Sequence, residues 1–229
     1  MDCARKGRQN DLLVYLALSK FRRPVPYRSL SRRLQHDIRL FFGDYSHASC
    51  TSQEVLFSAG NPANIERACQ GLSIGWQDPH ALYVHRSLLE KLPPLLRVYV
   101  GCASVLYGDI GQADVVKVHK ASGKVTFLVY DHFFGKPLPE LQQRVKVNLR
   151  TRCVQVFDHS GSGQLLYFKE RFVSEDHPSR KQMEKFSAKL AKLNIIDADG
   201  LMPNKSEFEA MLERKRLNKN LNKMRKKAG

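Results

Sequence analysis

The stretch that decides the fold is residues 114–172, DVVKVHKASGKVTFLVYDHFFGKPLPELQQRVKVNLRTRCVQVFDHSGSGQLLYFKERF. It is read as strands in quick succession. DVVKVH (114–119) and KVTFLVY (124–130) flank a short turn, the signature of a hairpin. RVKVNL (144–149), RCVQVF (152–157) and QLLYFK (164–169) continue the pattern, with Gly161 and Gly163 marking the last turn. Valine, phenylalanine and tyrosine suit a pleated, half-buried surface. Alternation divides the strands into two faces. Val116, Val118, Val125, Phe127, Val129, Val145, Val147 and Leu149 make one apolar face. Lys117, His119, Thr126, Tyr130, Arg144, Lys146 and Asn148 make the other. The expectation is an antiparallel sheet of about four to five strands, covered on one side only. On the second face Lys117, Arg144 and Lys146 are candidate phosphate contacts and Tyr130 a candidate base-stacking ring, unless the face is simply solvated.

Upstream, residues 10–108 read as helices. Asn10 is placed to cap a first helix of about eleven residues, whose Leu12, Leu13, Leu16 and Ala17 share a face. A second helix is expected over 29–42, ending at Gly43, with Leu30, Leu34, Ile38, Phe41 and Phe42 inward. Its outer face carries Arg28, Arg32, Arg33 and Arg39, which either contact DNA or form an ordinary solvated face. Helices over 46–58 and 63–70 follow, the latter opened by Asn61 and Pro62. Residues 71–78 read as a loop, ALYVH (81–85) as a short strand, and SLLEKL as the start of a helix interrupted by Pro93 and Pro94. LLRVYVGCASVLYG (95–108) is apolar nearly all round and is expected to lie buried against the sheet. Tyr83, His85, Arg97 and Tyr99 form a polar and aromatic set that either lines a pocket or leaves Arg97 snorkelling. After the sheet, helices are expected over 179–193 and 206–217, with a basic tail over 214–229. The fold class is therefore α+β, with a single domain over 1–213.

The 229 residues carry a formal net charge of +16, which points to nucleic acid or an acidic surface. Half of that excess lies in the tail: Arg214, Lys215, Arg216, Lys219, Lys223, Arg225, Lys226 and Lys227 come with no acid among them. Such a tail serves as a non-specific DNA clamp or as a solubilising end. The five cysteines have neither metal-ligand nor disulfide-framework spacing, so most are expected to be buried apolar residues in a reducing compartment. Neither a signal peptide nor a membrane-spanning run is evident, and a cytoplasmic chain is expected.

Nucleotide-cradling motifs are absent: no GxxxxGK[ST], and no GxGxxG after a strand. No cofactor is evident. Asp131-His132, Asp158-His159 and Asp176-His177 place carboxylate beside imidazole at strand ends or in loops. Asp131, His132, Asp158 and His159 are thus candidates for metal-assisted phosphodiester chemistry. Against that reading, neighbours on a strand point to opposite faces, and no metal site is assigned.

NDLLVYLALSKFRRPVPYRSL, LQHDIRLFFGDY, LFSAGNPANIERAC, ALYVHRSLLEKLPPLLRVYVGCASVLYG and KVTFLVYDHFFGKPLPELQQRVKVNLRT, in that order, resemble the DNA phosphorothioation-associated methyltransferase family. The resemblance covers roughly residues 10–201. It lies in the region outside the S-adenosylmethionine-binding fold, so it implies a pathway and partners more than a reaction. S-adenosylmethionine enters only if a separate region or chain supplies its site. His132 and Phe134 occupy a block that is usually more acidic in the family, which weighs against a catalytic acid there. The expected function is a DNA-associated accessory module of a phosphorothioation-linked modification or defence system. It would bind DNA, including phosphorothioated DNA, and other proteins of that system. The alternatives are a metal-dependent nuclease, a partial methyltransferase needing a second chain, or a protein-interaction domain.

Overall fold

The computed structural model describes residues 2–108, 111–192 and 202–225, with side chains for residues 4–108, 111–192 and 202–215. The expected α+β class is what forms, around one antiparallel sheet. That sheet has six strands rather than four to five, in the order β1-β2-β3-β4-β5-β6. They are β1 (Trp76–Gln77), β2 (Ala81–His85), β3 (Val115–His119), β4 (Lys124–Tyr130), β5 (Leu141–Asn148) and β6 (Cys153–Asp158). Residues 76–77, expected as loop, pair with β2 through Trp76↔Tyr83 and Gln77↔Leu82. Gly75 allows this return: its φ is 76°, and a Cβ there would collide with the Tyr83 carbonyl oxygen. Residues 164–169 form no strand. Leu165 makes one isolated bridge to Glu140, Phe168 turns left-handed at φ 51°, and a 3₁₀ turn covers Lys169–Phe172.

Helices cover the apolar face of the sheet. α1 (Asp2–Arg22) is twice the expected length, and Asn10 sits inside it rather than capping it. Its first turns are tied to α2 (Arg32–Phe42) by Arg8, whose guanidinium donates to Asp37 at 2.6 Å. Ser31 accepts from the Leu34 amide and caps α2, so the helix starts three residues later than expected. Tyr27–Ser29, with Arg28, forms a separate 3₁₀ turn. α3 (Tyr45–Ser58) is capped by Asp44, and α4 (Pro62–Cys69) by Asn61. SLLEK of that stretch falls in a 3₁₀ helix, Arg86–Lys91, with Leu92 extended after it, and α5 (Pro94–Tyr107) follows.

α5 buries Leu96, Val98, Val100 and Ala103 among Leu82, Val84, Val116, Val118, Val125, Phe127, Val145 and Val147 of the sheet. α1 crosses α5 closely at Gly101, where a Cβ would lie 2.6 Å from Leu18 Cδ1. Beyond α1, Leu12, Leu16, Leu30, Ile38 and Ala48 form a second apolar cluster with α2 and α3. α6 (Arg180–Lys192) and α7 (Lys205–Arg225) follow the sheet. The helix of α7 runs on to Arg225, so much of the expected tail is helical. Among the described residues, no helix is long and apolar enough to cross a membrane.

The second face of the sheet is not bare, contrary to the one-sided expectation. Phe172, Val173 and Met183 pack with Phe133 onto Val115, Tyr83, Leu128, Tyr130 and Trp76. This C-terminal layer covers Trp76, Tyr83, Val115, Leu128 and Tyr130 and leaves Lys117, Arg144 and Lys146 half-buried at its edge.

Candidate nucleic-acid interface

Strand register fixes what the second face presents. One cross-strand row reads Trp76, Tyr83, Lys117, Thr126, Lys146, Gln155 from β1 to β6. The next reads His85, Val115, Leu128, Arg144, Phe157 from β2 to β6. The sheet therefore brings Lys117, Arg144 and Lys146 together as expected, and neither row contains a carboxylate.

Two of the cations rest on aromatic rings. The Lys117 ammonium sits over the Tyr83 ring at 4.8 Å, and the Arg144 guanidinium over Phe157 at 4.8 Å. Arg144 Nε is buried with no hydrogen-bond acceptor. Burial pushes the Lys117 ammonium below its usual range. Asp78 offsets part of this, while Lys146 and Arg144 repel it further. His119 donates or accepts at 3.0 Å with Thr126 Oγ1. Burial, then Lys117, Lys146 and Lys124, drive its pKa down to about 4. Asp78, in the β1–β2 turn, is occupied by the His80 and Ala81 amides and by the Tyr83 hydroxyl at 3.0 Å.

Two positions along a strand are about 6.7 Å apart and two strands across about 9.6 Å. The three cations thus span more than one small anion could bridge, while a polyanion could touch all of them. Tyr130 takes no part, contrary to the stacking expectation: it is packed beneath Phe133, its ring centroid 6.4 Å away, and burial raises its hydroxyl pKa.

The other expected basic groups stand elsewhere. Arg28, Arg32, Arg33 and Arg39 are exposed on the helical side, across the sheet from the Lys117 row. Arg39 donates to the Tyr27 hydroxyl at 3.0 Å. Arg214 is exposed and Lys215 half-buried on α7. The backbone of Arg216, Lys219, Lys223 and Arg225 continues that helix, and Lys226 and Lys227 lie outside the described residues.

The Asp-His pairs build turns. Asp131 accepts from the Glu140 amide at 2.6 Å and pairs with Lys136, closing the loop after β4. Burial pushes its carboxyl up, but these donors outweigh that and hold it below the usual range. His132 is exposed with φ 50°. Asp158 caps its own turn through the Ser160 amide at 2.9 Å, and His159 Nε2 is buried without a partner. His177 stacks on Phe134 at 4.7 Å. Among the described residues, no three His, Cys, Asp or Glu side chains gather as a metal site would.

The Tyr83–Tyr99 set is split by the sheet. Tyr83 and His85 face the C-terminal layer. Arg97 and Tyr99 belong to α5, where Arg97 pairs with Asp11 at 2.8 Å. His85 is 3% exposed, its Nδ1 accepts from the Ser87 amide, and its Nε2 has no partner. Burial, with Arg86 and His177, lowers its pKa to about 4. Of the cysteines, Cys69 and Cys102 are buried as expected, but Cys50 and Cys153 are exposed.

Sequence reasoning missed the aromatic rings that seat two of the cations. Register was the missing information: Tyr83 is opposite Lys117 and Phe157 opposite Arg144 only once the strands are aligned. The chain matches no known protein family, no curated protein and no solved structure.

Proposed function

We propose that this cytoplasmic chain is a DNA-associated accessory module of a phosphorothioation-linked modification or defence system, holding the DNA backbone against the open face of its sheet. The observation that carries the reading is the trio Lys117, Arg144 and Lys146, adjacent in register with no carboxylate in either row. Burial, with repulsion from Lys146 and Arg144, makes the Lys117 charge costly in the free protein; a polyanion would offset both. The link to phosphorothioation comes from the sequence blocks alone. Backbone contacts position a protein and specify no base, so selectivity would come from sulfur or from partner proteins. The reading assigns the chain no reaction of its own.

The test is duplex binding across a salt series, with phosphorothioated and unmodified DNA of one sequence. The comparison is between the wild-type chain and Lys117→Gln/Arg144→Gln/Lys146→Gln. Each lost phosphate contact should reduce the log–log salt slope by about 0.9. An unchanged slope in the triple variant would remove the sheet face from the interface.

A second reading, a protein-interaction domain, is favoured by an apolar groove of about 620 Å³ between α1, α3 and α5. Phe57, 70% exposed, stands at its edge. Phe57→Glu should then release a co-purifying partner while leaving DNA binding intact.

A further inference from the structure

The loop after β4, the Lys169–Phe172 turn and α6 enclose a cavity of about 270 Å³ that the DNA reading does not use. Phe134, Phe168, Phe186 and Met183 line it, together with Lys136, Lys169, Lys185 and Lys189. Its one carboxylate, Glu170, already accepts a hydrogen bond from Ser187 Oγ at 2.8 Å. Lys136 is neutralised by Asp131. Three cations remain against one occupied acid.

Lys169 is the anomaly. It is 6% exposed, and its ammonium donates to the Phe133 carbonyl at 2.6 Å and to the Lys136 carbonyl. Among the described residues, no carboxylate comes within ion-pairing distance of it. Carbonyl dipoles satisfy donors without cancelling charge, and a buried cation ordinarily has a counter-charge. Burial lowers the Lys169 pKa, and the Glu170 carboxylate, beyond ion-pairing distance, offsets only part of this. Lys185 and Lys189 stand four residues apart on α6, on one face of the helix and both exposed. The pair adds like charge at the same opening.

We propose that this cavity binds a nucleoside monophosphate unit, its phosphate among Lys169, Lys185 and Lys189 and its planar base against the phenylalanine walls. The volume falls just below the range of about 300–1,000 Å³ usual for ligand pockets, which selects a compact ligand. Aromatic walls favour a ring over a bare phosphate. The unit comes either from a free nucleotide or from the 5′-phosphorylated end of a strand. The proposal stands independently of the sheet-face interface.

Isothermal titration of the full chain with AMP, CMP, GMP and TMP tests it, with adenosine and inorganic phosphate as controls. At least one monophosphate should bind at about millimolar or better, and both controls at least about tenfold more weakly. Lys185→Glu/Lys189→Glu alters exposed side chains only and should cost that ligand at least about tenfold. The Lys117/Arg144/Lys146 triple variant should keep wild-type affinity. Lys169→Met, checked for folding by circular dichroism, should lose binding too; if it unfolds, the surface pair decides alone. A 5′-phosphorylated hexanucleotide that binds in the same Lys185/Lys189-dependent way, with no free monophosphate binding, places the source at strand ends. The proposal is overturned if none of these probes binds, or if inorganic phosphate binds as well as the nucleotides. It is also overturned if the Lys185/Lys189 variant binds normally, or if the sheet triple variant loses the ligand instead.

Discussion

The two faces of the sheet are built from the same strands and do opposite things. On one, Val84, Val116, Phe127 and Val145 stand in a cross-strand row sealed by α5. On the other, one residue along, Lys117 and Lys146 flank Thr126. The first face converts apolar area into stability. The second holds like charges beside one another and partly buried, which costs stability. A surface that holds the Lys117 charge against burial and against its cationic neighbours is a candidate for something other than folding.

Substitutions can break that contrast. The largest effect is expected from Phe127→Ala, which empties the centre of the apolar row. It should cost about 3–5 kcal/mol of unfolding free energy, read by urea denaturation, with the DNA salt slope per folded molecule unchanged. Next, Lys117→Gln/Arg144→Gln/Lys146→Gln should reduce that slope by up to about 2.7 while leaving the denaturation midpoint level or higher. A large loss of stability would show that these side chains serve the fold and would collapse the distinction between the faces.

A smaller effect concerns pH. His85 and His119 have folded pKa values of about 4, below the ordinary value of about 6.5. The unfolded chain therefore binds protons that the folded chain refuses. Stability is fully present above about pH 6.5 and falls as pH drops towards 4, by about 1 kcal/mol per unit for each ring. Denaturation at pH 7.5 and pH 5 should show the loss, and His85→Leu should remove roughly half of the slope. The smallest effect is expected from Asp131→Ala. It opens the loop after β4 at about 1–2 kcal/mol and leaves the DNA salt slope untouched. A metal-stimulated cleavage assay that gave activity in the wild type and none in this variant would revive the nuclease alternative.

Much of the central sheet was legible because its strands largely alternate, Val115 and Leu128 apart, and its turns carry glycine or short polar runs. Valine or phenylalanine at every second residue over 116–118, 125–129 and 145–147 determines both the strand state and the faces. Two errors have the opposite cause. β1 is two residues long, too short for any periodicity, and exists because Gly75 lets Trp76 return onto Tyr83. LLYF (165–168) has strong strand composition but no alternation. All four side chains are at least partly buried, divided between the clusters around Met183 and around Leu190. The first turns of α1 were missed because residues 4–9 lack an apolar stripe; the Arg8–Asp37 pair tethers them instead. The basic residues were legible one by one. Their grouping was not, since the sequence cannot show that the α2 arginines and the sheet lysines lie on opposite sides of a packed core.

The strand order carries a kinetic consequence. Every strand of this sheet pairs with its neighbour in sequence, and no connection crosses over another strand. Pairing can therefore proceed hairpin by hairpin, with the β3–β4 and β5–β6 turns closing loops of only a few residues. Short loop closures cost little chain entropy, and low sequence separation between partners speeds folding. The chain can assemble the platform for its cations before α6 arrives to cover one end of it.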